Sequence, residues 1–264
     1  MSWTLDPAYH FLAADFGSLA AVFALQGERL TMDPRSEVLR VEREGVRYYV
    51  KRYGAGAGKE KNWRLRWFRY LRHYARNFLP RPRVEAEWEN LRQFARWDIP
   101  VPELVAWGLE RRHGAFHRGA LITRELVGTE DLASLAARRD QRLFDRRRLA
   151  AIGAQIARHT RVLHAHRFIH NDLKWRNILV DAEDRVWFID CPLGAFCRTL
   201  LFERRRIKDL ACLDKVARRC LSRTRRLFFY RQYRGLAAGE RLSPADKRRI
   251  RRIVRFFVAE RNDP

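Results

Sequence analysis

The chain has 264 residues, a length that suits one large domain or two smaller lobes, and 47% of them are apolar, which excludes a mainly disordered protein. Its 55 Lys and Arg against 31 Asp and Glu give a formal net charge of +24 at pH 7, which favours an anionic partner such as a nucleotide, phosphorylated glycan, anionic lipid or nucleic acid. The four cysteines have neither a C-x-x-C pair nor zinc-ligand spacing, so we expect free thiols in a reducing cytoplasm.

The first predicted elements precede a glycine-rich break at residues 54–58. Residues 1–26 are typical of a leader helix or loop, and their apolar part is too short to cross a bilayer, so any membrane contact is expected to be peripheral. Three short strands follow, with a hairpin turn signal at Gly45. Their predicted bounds are Glu28–Met32, Glu37–Glu42 and Val46–Tyr53. Lys51 lies in the third strand, where an ammonium group can pair with nucleotide phosphates; the alternative is a solvent-facing strand lysine.

A basic, aromatic stretch occupies residues 59–83. Aromatic residues recur there at roughly helical spacing, at Trp63, Trp67, Tyr70, Tyr74 and Phe78. The aromatic residues favour packing of a helix on the fold, whereas the arginines beside them favour contact with anionic lipid or a phosphorylated glycolipid.

The next element is a helix predicted over residues 84–97, which ends before Pro100. Glu87 shares one side of it with apolar residues, whereas Glu85 and Glu89 share the other side with arginines. Glu87 is therefore the predicted partner that holds Lys51 in place by a charge-assisted hydrogen bond.

Two further strands, predicted at Leu104–Gly108 and Ala120–Leu126, lead to a crossing between lobes. We expect backbone groups of Glu125 and Val127 to meet the edge of an adenine ring, an inference from position alone. Two helices follow, predicted at Leu132–Ala137 and Phe144–His166.

The strongest motif is H-x-D-x-K-x-x-N, formed by His170, Asp172, Lys174 and Asn177, with Asp190 thirteen residues further on after an apolar run. Phosphoryl transfer needs one carboxylate to meet the attacking hydroxyl, and an amide oxygen and a second carboxylate to hold Mg²⁺ on the phosphates. The pattern resembles the catalytic loop and metal-binding segment of the protein-kinase-like superfamily.

These residues predict individual roles. Asp172 is the expected base, Asn177 and Asp190 the expected Mg²⁺ ligands, and Lys174 the cation that neutralises the transferred phosphoryl group. His170 is expected to brace the loop by hydrogen bonds rather than carry a proton.

The sequence also departs from the protein-kinase pattern. It has no G-x-G-x-x-G loop, and Cys191 and Pro192 follow Asp190 in place of Phe and Gly. Asn171 stands where many protein kinases have arginine, which predicts activity without activation-loop phosphorylation. Ordinary protein-kinase membership is therefore not favoured.

The remaining residues are predicted to be helical and basic. Asp209 is the only acid in the run 204–213, and it is expected either to accept backbone N–H groups of the catalytic loop or to be solvated. The stretch 221–257 mixes arginine with Phe and Tyr and is a candidate for contact with substrate phosphate or a membrane.

Taken together, the chain resembles the bacterial lipopolysaccharide core kinases, which phosphorylate heptose or Kdo sugars of the inner core. The similarity extends from about Gly27 to Gly235. The segments that carry it are VKRY (50–53), EAEWENLRQF (85–94), IPVPELVAWG (99–108), LITREL (121–126), LHAHRFIHNDLKWRNILV (163–180), FIDCPLG (188–194) and IKDLACLDKVARRCLSRTRRLFFYRQYRG (207–235).

The resemblance implies an α+β, protein-kinase-like fold of two lobes. Residues 1–126 would form a small antiparallel-sheet N-lobe with Lys51 and Glu87, and the insertion 59–83. Residues 127–264 would form a mostly helical C-lobe with the catalytic loop 170–177 and the metal-binding segment 188–194.

The resemblance also implies the activity: ATP- and Mg²⁺-dependent phosphorylation of a sugar hydroxyl of an anionic glycolipid, the lipopolysaccharide inner core. The enzyme would work in the cytoplasm, on the cytoplasmic face of the inner membrane, with no nucleic acid and no obligate protein partner. The alternatives are a kinase for another small molecule or a protein, and a non-catalytic glycolipid- or membrane-binding pseudokinase. A third alternative, nucleic-acid binding, is suggested by the charge alone, and no recognition motif supports it.

Overall fold

The computed structural model of the chain describes residues 2–33, 36–54 and 81–259. It divides into two compact units. The first unit comprises the described residues of Met1–Glu89 and Pro102–Leu126, and the second those of Asn90–Val101 and Val127–Pro264. The predicted division into an N-lobe of residues 1–126 and a C-lobe of residues 127–264 stays a prediction.

The first unit contains a six-stranded antiparallel sheet with the order β1-β5-β6-β4-β3-β2. Its strands are β1 (Ser2–Leu5), β2 (Glu28–Asp33), β3 (Ser36–Arg43), β4 (Val46–Gly54), β5 (Leu104–Arg112) and β6 (Ala115–Arg124). Between β1 and β2 lie a 3-10 helix (Pro7–Leu12) and the short helices α1 (Ala13–Phe16) and α2 (Leu19–Ala24). These helices and the sheet bury one continuous apolar cluster, which includes Phe16, Leu19 and Val50.

Two sequence predictions for this unit were wrong in detail. Residues 1–26 were expected to be a leader helix or loop, but Ser2–Leu5 forms β1, an edge strand paired with β5. Strands β5 and β6 are also longer than predicted, because His113 and Gly114 have φ of +49° and +78° and close a tight hairpin. Charged residues at the tip of this hairpin interrupt the alternation of apolar and polar residues from which the full length of the two strands could have been predicted.

Helix α3 (Arg83–Arg96) follows, and the division between the units falls between Glu89 and Asn90 within it. The predicted apolar side of α3 is confirmed, since Val84, Leu91 and Phe94 are buried.

The second unit is mostly helical. Its α-helices are α4 (Leu132–Ala137), α5 (Arg146–Ala165), α6 (Phe202–Cys220), α7 (Arg223–Arg234) and α8 (Pro244–Ala259). Asp131 and Asp145 cap α4 and α5 by accepting backbone N–H groups of the first helical turn. The α+β class predicted from the sequence is therefore confirmed.

Short strands of the second unit hold its loops in place. They are β7 (Glu130–Asp131), β8 (Phe168–Ile169), β9 (Ile178–Val180), β10 (Val186–Phe188) and β11 (Ala195–Phe196), with 3-10 helices at Gln141–Leu143 and Trp175–Asn177. One sheet has the order β10-β9-β7, and β11 pairs with β8. No helix within the described residues combines the length and apolarity of a membrane span.

Candidate active site

The first unit holds the lysine and glutamate that the sequence paired. Lys51 lies on β4 between the buried residues Val50 and Arg52, and therefore points to the opposite side of the sheet. Its Nζ is 3.0 Å from Oε1 of Glu87, which is buried on α3. The expected contact is present; the binding of phosphate by Lys51 remains a proposal.

Tyr53 also contacts Glu87, which the sequence analysis did not foresee. Its hydroxyl donates a hydrogen bond to Oε2 of Glu87, while Lys51 contacts the other oxygen. Burial, with the neighbouring Glu87 carboxylate, raises the pKa of Tyr53, so the phenol stays a donor. The signal was its spacing: Tyr53 is two residues beyond Lys51 in one strand, on the same side.

Some of the groups predicted to contact adenine already have hydrogen-bond partners within the protein. The backbone N–H of Glu125 donates to the carbonyl oxygen of Arg47 at 2.9 Å, and its carboxylate accepts from the Tyr49 hydroxyl at 3.1 Å. Because its N–H group is used in this way, the backbone group of Glu125 that could meet an adenine ring is the carbonyl oxygen. Val127 has an 83% exposed side chain.

The second unit holds the catalytic loop, with Asp172 and Lys174 in direct contact. Nζ of Lys174 is 2.5 Å from Oδ1 of Asp172, and Arg176 lies 3.8 Å from Oδ2. The Nδ2 atom of Asn177 donates to the backbone oxygen of Asp172 at 2.9 Å. The sequence motif thus folds into one cluster of a carboxylate, an amide and two cations.

This cluster sets the charge of Asp172. Burial raises its pKa, but hydrogen bonding and attraction from Lys174, with help from Arg176 and Asn177, outweigh that and hold the pKa below its ordinary value. Asp172 is therefore ionised at neutral pH. An ionised carboxylate with one partly exposed side can accept a hydrogen bond from a hydroxyl group.

Asp209 fixes the backbone at the start of the loop. This residue of α6 is fully buried, and its two oxygens accept the N–H groups of His170 at 2.8 Å and Asn171 at 2.9 Å. Of the two sequence interpretations of Asp209, the buried one is confirmed.

Two side chains missed by the sequence analysis continue this network. Nε2 of His164 lies 3.4 Å from Asp209, and its Nδ1 lies 2.8 Å from the hydroxyl of Tyr233. If Nε2 donates to the carboxylate, Nδ1 accepts from the Tyr233 hydroxyl, so both ring nitrogens are used. Burial raises the pKa of Tyr233 to about 12, which keeps it a donor.

The kind of interaction predicted for His170 was wrong. Its ring was expected to brace the loop by hydrogen bonds, but neither ring nitrogen has a partner in the part of the chain that the structure describes. The ring instead packs between Phe94 and Phe188, at centroid distances of 6.0 and 6.4 Å. Burial lowers its pKa, so the imidazole is neutral and braces the loop as a packed aromatic ring.

The segment after Asp190 is anchored by Asn90, a residue that the sequence analysis did not single out. The Nδ2 atom of Asn90 donates to the backbone oxygens of Cys191 at 2.8 Å and Gly194 at 3.0 Å. Asn90 is a buried amide on a helix face that is otherwise largely apolar, three residues beyond Glu87, and that position was the available signal. The backbone of Asp190 has φ of +56°, a left-handed conformation that few residues other than glycine adopt readily.

The proposed Mg²⁺ ligands are chemically suited to that ion. Asn177 uses its Nδ2 toward Asp172, which leaves the opposite branch of the amide, Oδ1, to face a cation. Amide and carboxylate oxygens are ligands that Mg²⁺ accepts, and it commonly takes its remaining ligands from phosphates and water. Within the described ranges, no three His, Cys, Asp or Glu side chains form a metal cage of their own.

One sequence prediction lies for the most part outside the described residues. It is the helical interpretation of the aromatic stretch within 59–83, which stays a prediction.

Comparison with known proteins gives one family. The chain matches the model of the "Lipopolysaccharide kinase (Kdo/WaaP) family" over residues 24–239. Two curated relatives are both named 3-deoxy-D-manno-octulosonic acid kinase. The one from Photobacterium profundum is 30% identical over 159 residues, or 55% of this chain and 63% of that protein. The one from Vibrio vulnificus is 28% identical over 107 residues, or 40% of this chain and 41% of that protein.

The chain thus matches between 41% and 63% of the length of these two relatives. A solved structure, WaaP in complex with acyl carrier protein, is similar to this chain with a TM-score of 0.69 and 24% identity, covering 98% of both chains. At this identity the likeness shows the fold, which is the protein-kinase-like α+β fold that the sequence predicted.

Proposed function

Because the chain belongs to the lipopolysaccharide kinase (Kdo/WaaP) family, we propose that it transfers the γ-phosphoryl group of ATP to a sugar hydroxyl of the lipopolysaccharide inner core. The observation that carries the proposal is the contact of Asp172 with Lys174 on a loop whose backbone is held by Asp209. This arrangement offers an ionised acceptor for a hydroxyl proton beside a cation for phosphate.

The proposed role of Asp172 follows from its lowered pKa. A carboxylate that is hard to protonate is a weak base, so it orients the sugar hydroxyl and accepts the proton late, as the bond to phosphorus forms. This suits a loose transition state, in which the attacking oxygen gains little charge before the leaving group departs.

The cations would stabilise the charge of the transferred group. Lys174 is 47% exposed, so its ammonium group can turn toward a phosphoryl oxygen while it stays near Asp172. We assign Lys51 to the phosphates of ATP, with Glu87 and Tyr53 fixing its position. Asn177 and Asp190 would hold Mg²⁺, which neutralises phosphate charge when bound. Positioning and electrostatics supply most of the catalysis in such a site.

The choice between Kdo and heptose as acceptor is part of the proposal. The two curated relatives are named as kinases of 3-deoxy-D-manno-octulosonic acid, which makes Kdo the first acceptor to assay, with heptose second. The structural relative WaaP is in complex with acyl carrier protein; that this chain needs no obligate protein partner stays a prediction.

The test is transfer of labelled phosphate from ATP, with Mg²⁺, to deacylated inner-core oligosaccharides that end in Kdo or carry heptose as well. The matched variant is Asp190→Asn, because Asn tolerates the left-handed backbone at this position whereas Ala would add strain. We expect incorporation with the wild type and its loss in the variant, with the phosphorylated hydroxyl then mapped by NMR. Absence of incorporation by a wild type that still binds ATP contradicts the proposal and favours another acceptor or the pseudokinase alternative.

A further inference from the structure

Four large apolar side chains are exposed within nine residues of the second unit, at Leu193, Phe196, Leu200 and Leu201. Leu200 is completely exposed, at 102%, and Leu201 is half exposed at 51%. Single exposed leucines are common on protein surfaces, but four exposed apolar side chains within nine residues concentrate apolar surface in one segment, which is typical of an interaction site.

The backbone that carries these residues is held in place by hydrogen bonds. Strand β11 pairs with β8, and beyond it the Cys197 N–H donates to the carbonyl oxygen of Arg167 at 2.8 Å. Thr199 then accepts twice, from the Leu201 N–H at its hydroxyl (3.3 Å) and from the Phe202 N–H at its carbonyl oxygen (3.1 Å). The fold therefore holds Leu200 in solvent at the tip of an anchored turn.

The start of α6 makes no use of the Leu201 side chain. Leu201 has helical backbone angles (φ −73°, ψ −6°), and its side chain makes no capping hydrogen bond. The N–H group of Leu201 is accepted by the Thr199 hydroxyl, so Thr199 and not Leu201 serves the first turn. Helix capping therefore gives no reason for a leucine at position 201.

Basic residues surround the apolar tip in the sequence. The run 193–206 contains four arginines and one acid, Glu203, and that acid is already paired with Arg206 and Arg249. Arg198, Arg204 and Arg205 are exposed. The surface thus combines protruding leucines with unneutralised positive charge, which complements an anionic lipid bilayer: leucine enters the interface and arginine meets phosphate headgroups.

We propose that the turn Thr199–Phe202, with Leu200 and Leu201 at its tip, is the element by which this chain inserts into an anionic membrane surface. The proposal deepens the proposed function, since it places the enzyme at the lipid that carries its acceptor. It assigns the contact to a surface other than the stretches 59–83 and 221–257 that the sequence suggested.

The test measures binding of the full chain to vesicles of phosphatidylglycerol and phosphatidylethanolamine by cosedimentation, for the wild type, Leu200→Asp and Leu201→Asp. The matched control is Leu227→Asp, because Leu227 is also an exposed leucine (39%) and lies on a basic helix of the same unit. This substitution changes the net charge by the same amount as the tip variants do. We expect roughly ten- to a hundredfold weaker binding for the two tip variants, the loss that corresponds to keeping one leucine out of the membrane. The control should bind nearly as well as the wild type.

A second measurement reports insertion itself. Leu200→Cys and Leu227→Cys, each labelled with an environment-sensitive fluorophore, are mixed with the same vesicles; three of the four native cysteines are buried, which limits background labelling. A blue-shifted, brighter signal at position 200 alone supports the proposal.

Several outcomes would overturn it: no binding of the wild type to the vesicles, equal binding of all variants, or loss of binding only in Leu227→Asp. A tip variant that changes oligomeric state and not vesicle binding would assign the leucines to contact between copies of the chain.

Activity toward a deacylated acceptor separates this proposal from the proposed function. Both tip variants should phosphorylate the soluble acceptor at the wild-type rate and lose activity only toward acceptor embedded in vesicles. If the wild type has no kinase activity at all, the vesicle assay still decides the membrane proposal by itself.

Discussion

Two carboxylates of the second unit, Asp172 and Asp209, have opposite surroundings. Asp172 lies beside two cations, with 19% of its side chain exposed, whereas Asp209 is fully buried and accepts two backbone N–H groups. The hydrogen-bonding capacity of Asp209 is used by the protein itself, while part of that of Asp172 faces outward. In the proposed function, one residue type therefore serves chemistry at Asp172 and architecture at Asp209, and the surrounding groups decide which.

The largest expected effect is on catalysis at Asp172. Asp172→Asn removes the acceptor of the hydroxyl proton but keeps the shape of the side chain, so we expect kcat to fall by about 10²–10⁴-fold. The melting temperature should change little, because the carboxylate is partly exposed and its cations are solvated. Steady-state kinetics with a thermal melt measure both; near-normal turnover would remove Asp172 from the role of base.

The next effect is on stability at Asp209. Asp209→Ala leaves two buried N–H groups without acceptors, each costing about 1–3 kcal/mol, so the free energy of unfolding should fall by roughly 2–6 kcal/mol. Asp209→Asn keeps one acceptor oxygen and should lose about half as much.

Denaturant titration measures the free energy of unfolding of the two Asp209 variants, which is then compared with that of Asp172→Asn. Activity should fall together with stability, because the loop that carries Asp172 loses its anchor. A stable Asp209→Ala protein with low activity would contradict the architectural role and make Asp209 resemble Asp172.

The smallest effect is a shift in pH dependence at Lys174. The pKa of Asp172 lies below its ordinary value of 3.8 because of its partners, chiefly Lys174, so the ionised form persists well into acid. Lys174→Met removes that attraction but keeps the burial that raises the pKa. The acid limb of the kcat profile should therefore move to higher pH, and the plateau should also fall as phosphate loses a cation.

The control for this prediction is Lys247→Met, which removes an exposed lysine from α8. It should leave the acid limb in place. Because Lys174 is half exposed, the shift should be modest and should shrink as salt is added. An unchanged profile in Lys174→Met would show that other groups set the charge of Asp172.

The family and the main elements could be read from the sequence because they are local patterns. The H-x-D-x-K-x-x-N spacing lies on one loop, and the apolar side of α3 follows from helical periodicity, which also selected Glu87 from three candidate glutamates. Contacts between residues distant in the sequence leave no such local pattern. Asn90 reaches Cys191 across 101 positions, and Tyr233 reaches His164 across 69.

The sequence by itself thus determined the class of fold and the family, since residue type and short-range spacing carry that information. The same spacing selected the residues that are proposed to carry out phosphoryl transfer. Only the tertiary structure decided what each polar group does. It buried Asp209 against backbone donors, enclosed the His170 ring among aromatic residues, and held Leu200 out in water. Burial and hydrogen-bond partners are products of long-range packing, and they set charge, pKa and exposure, which residue identity alone cannot specify.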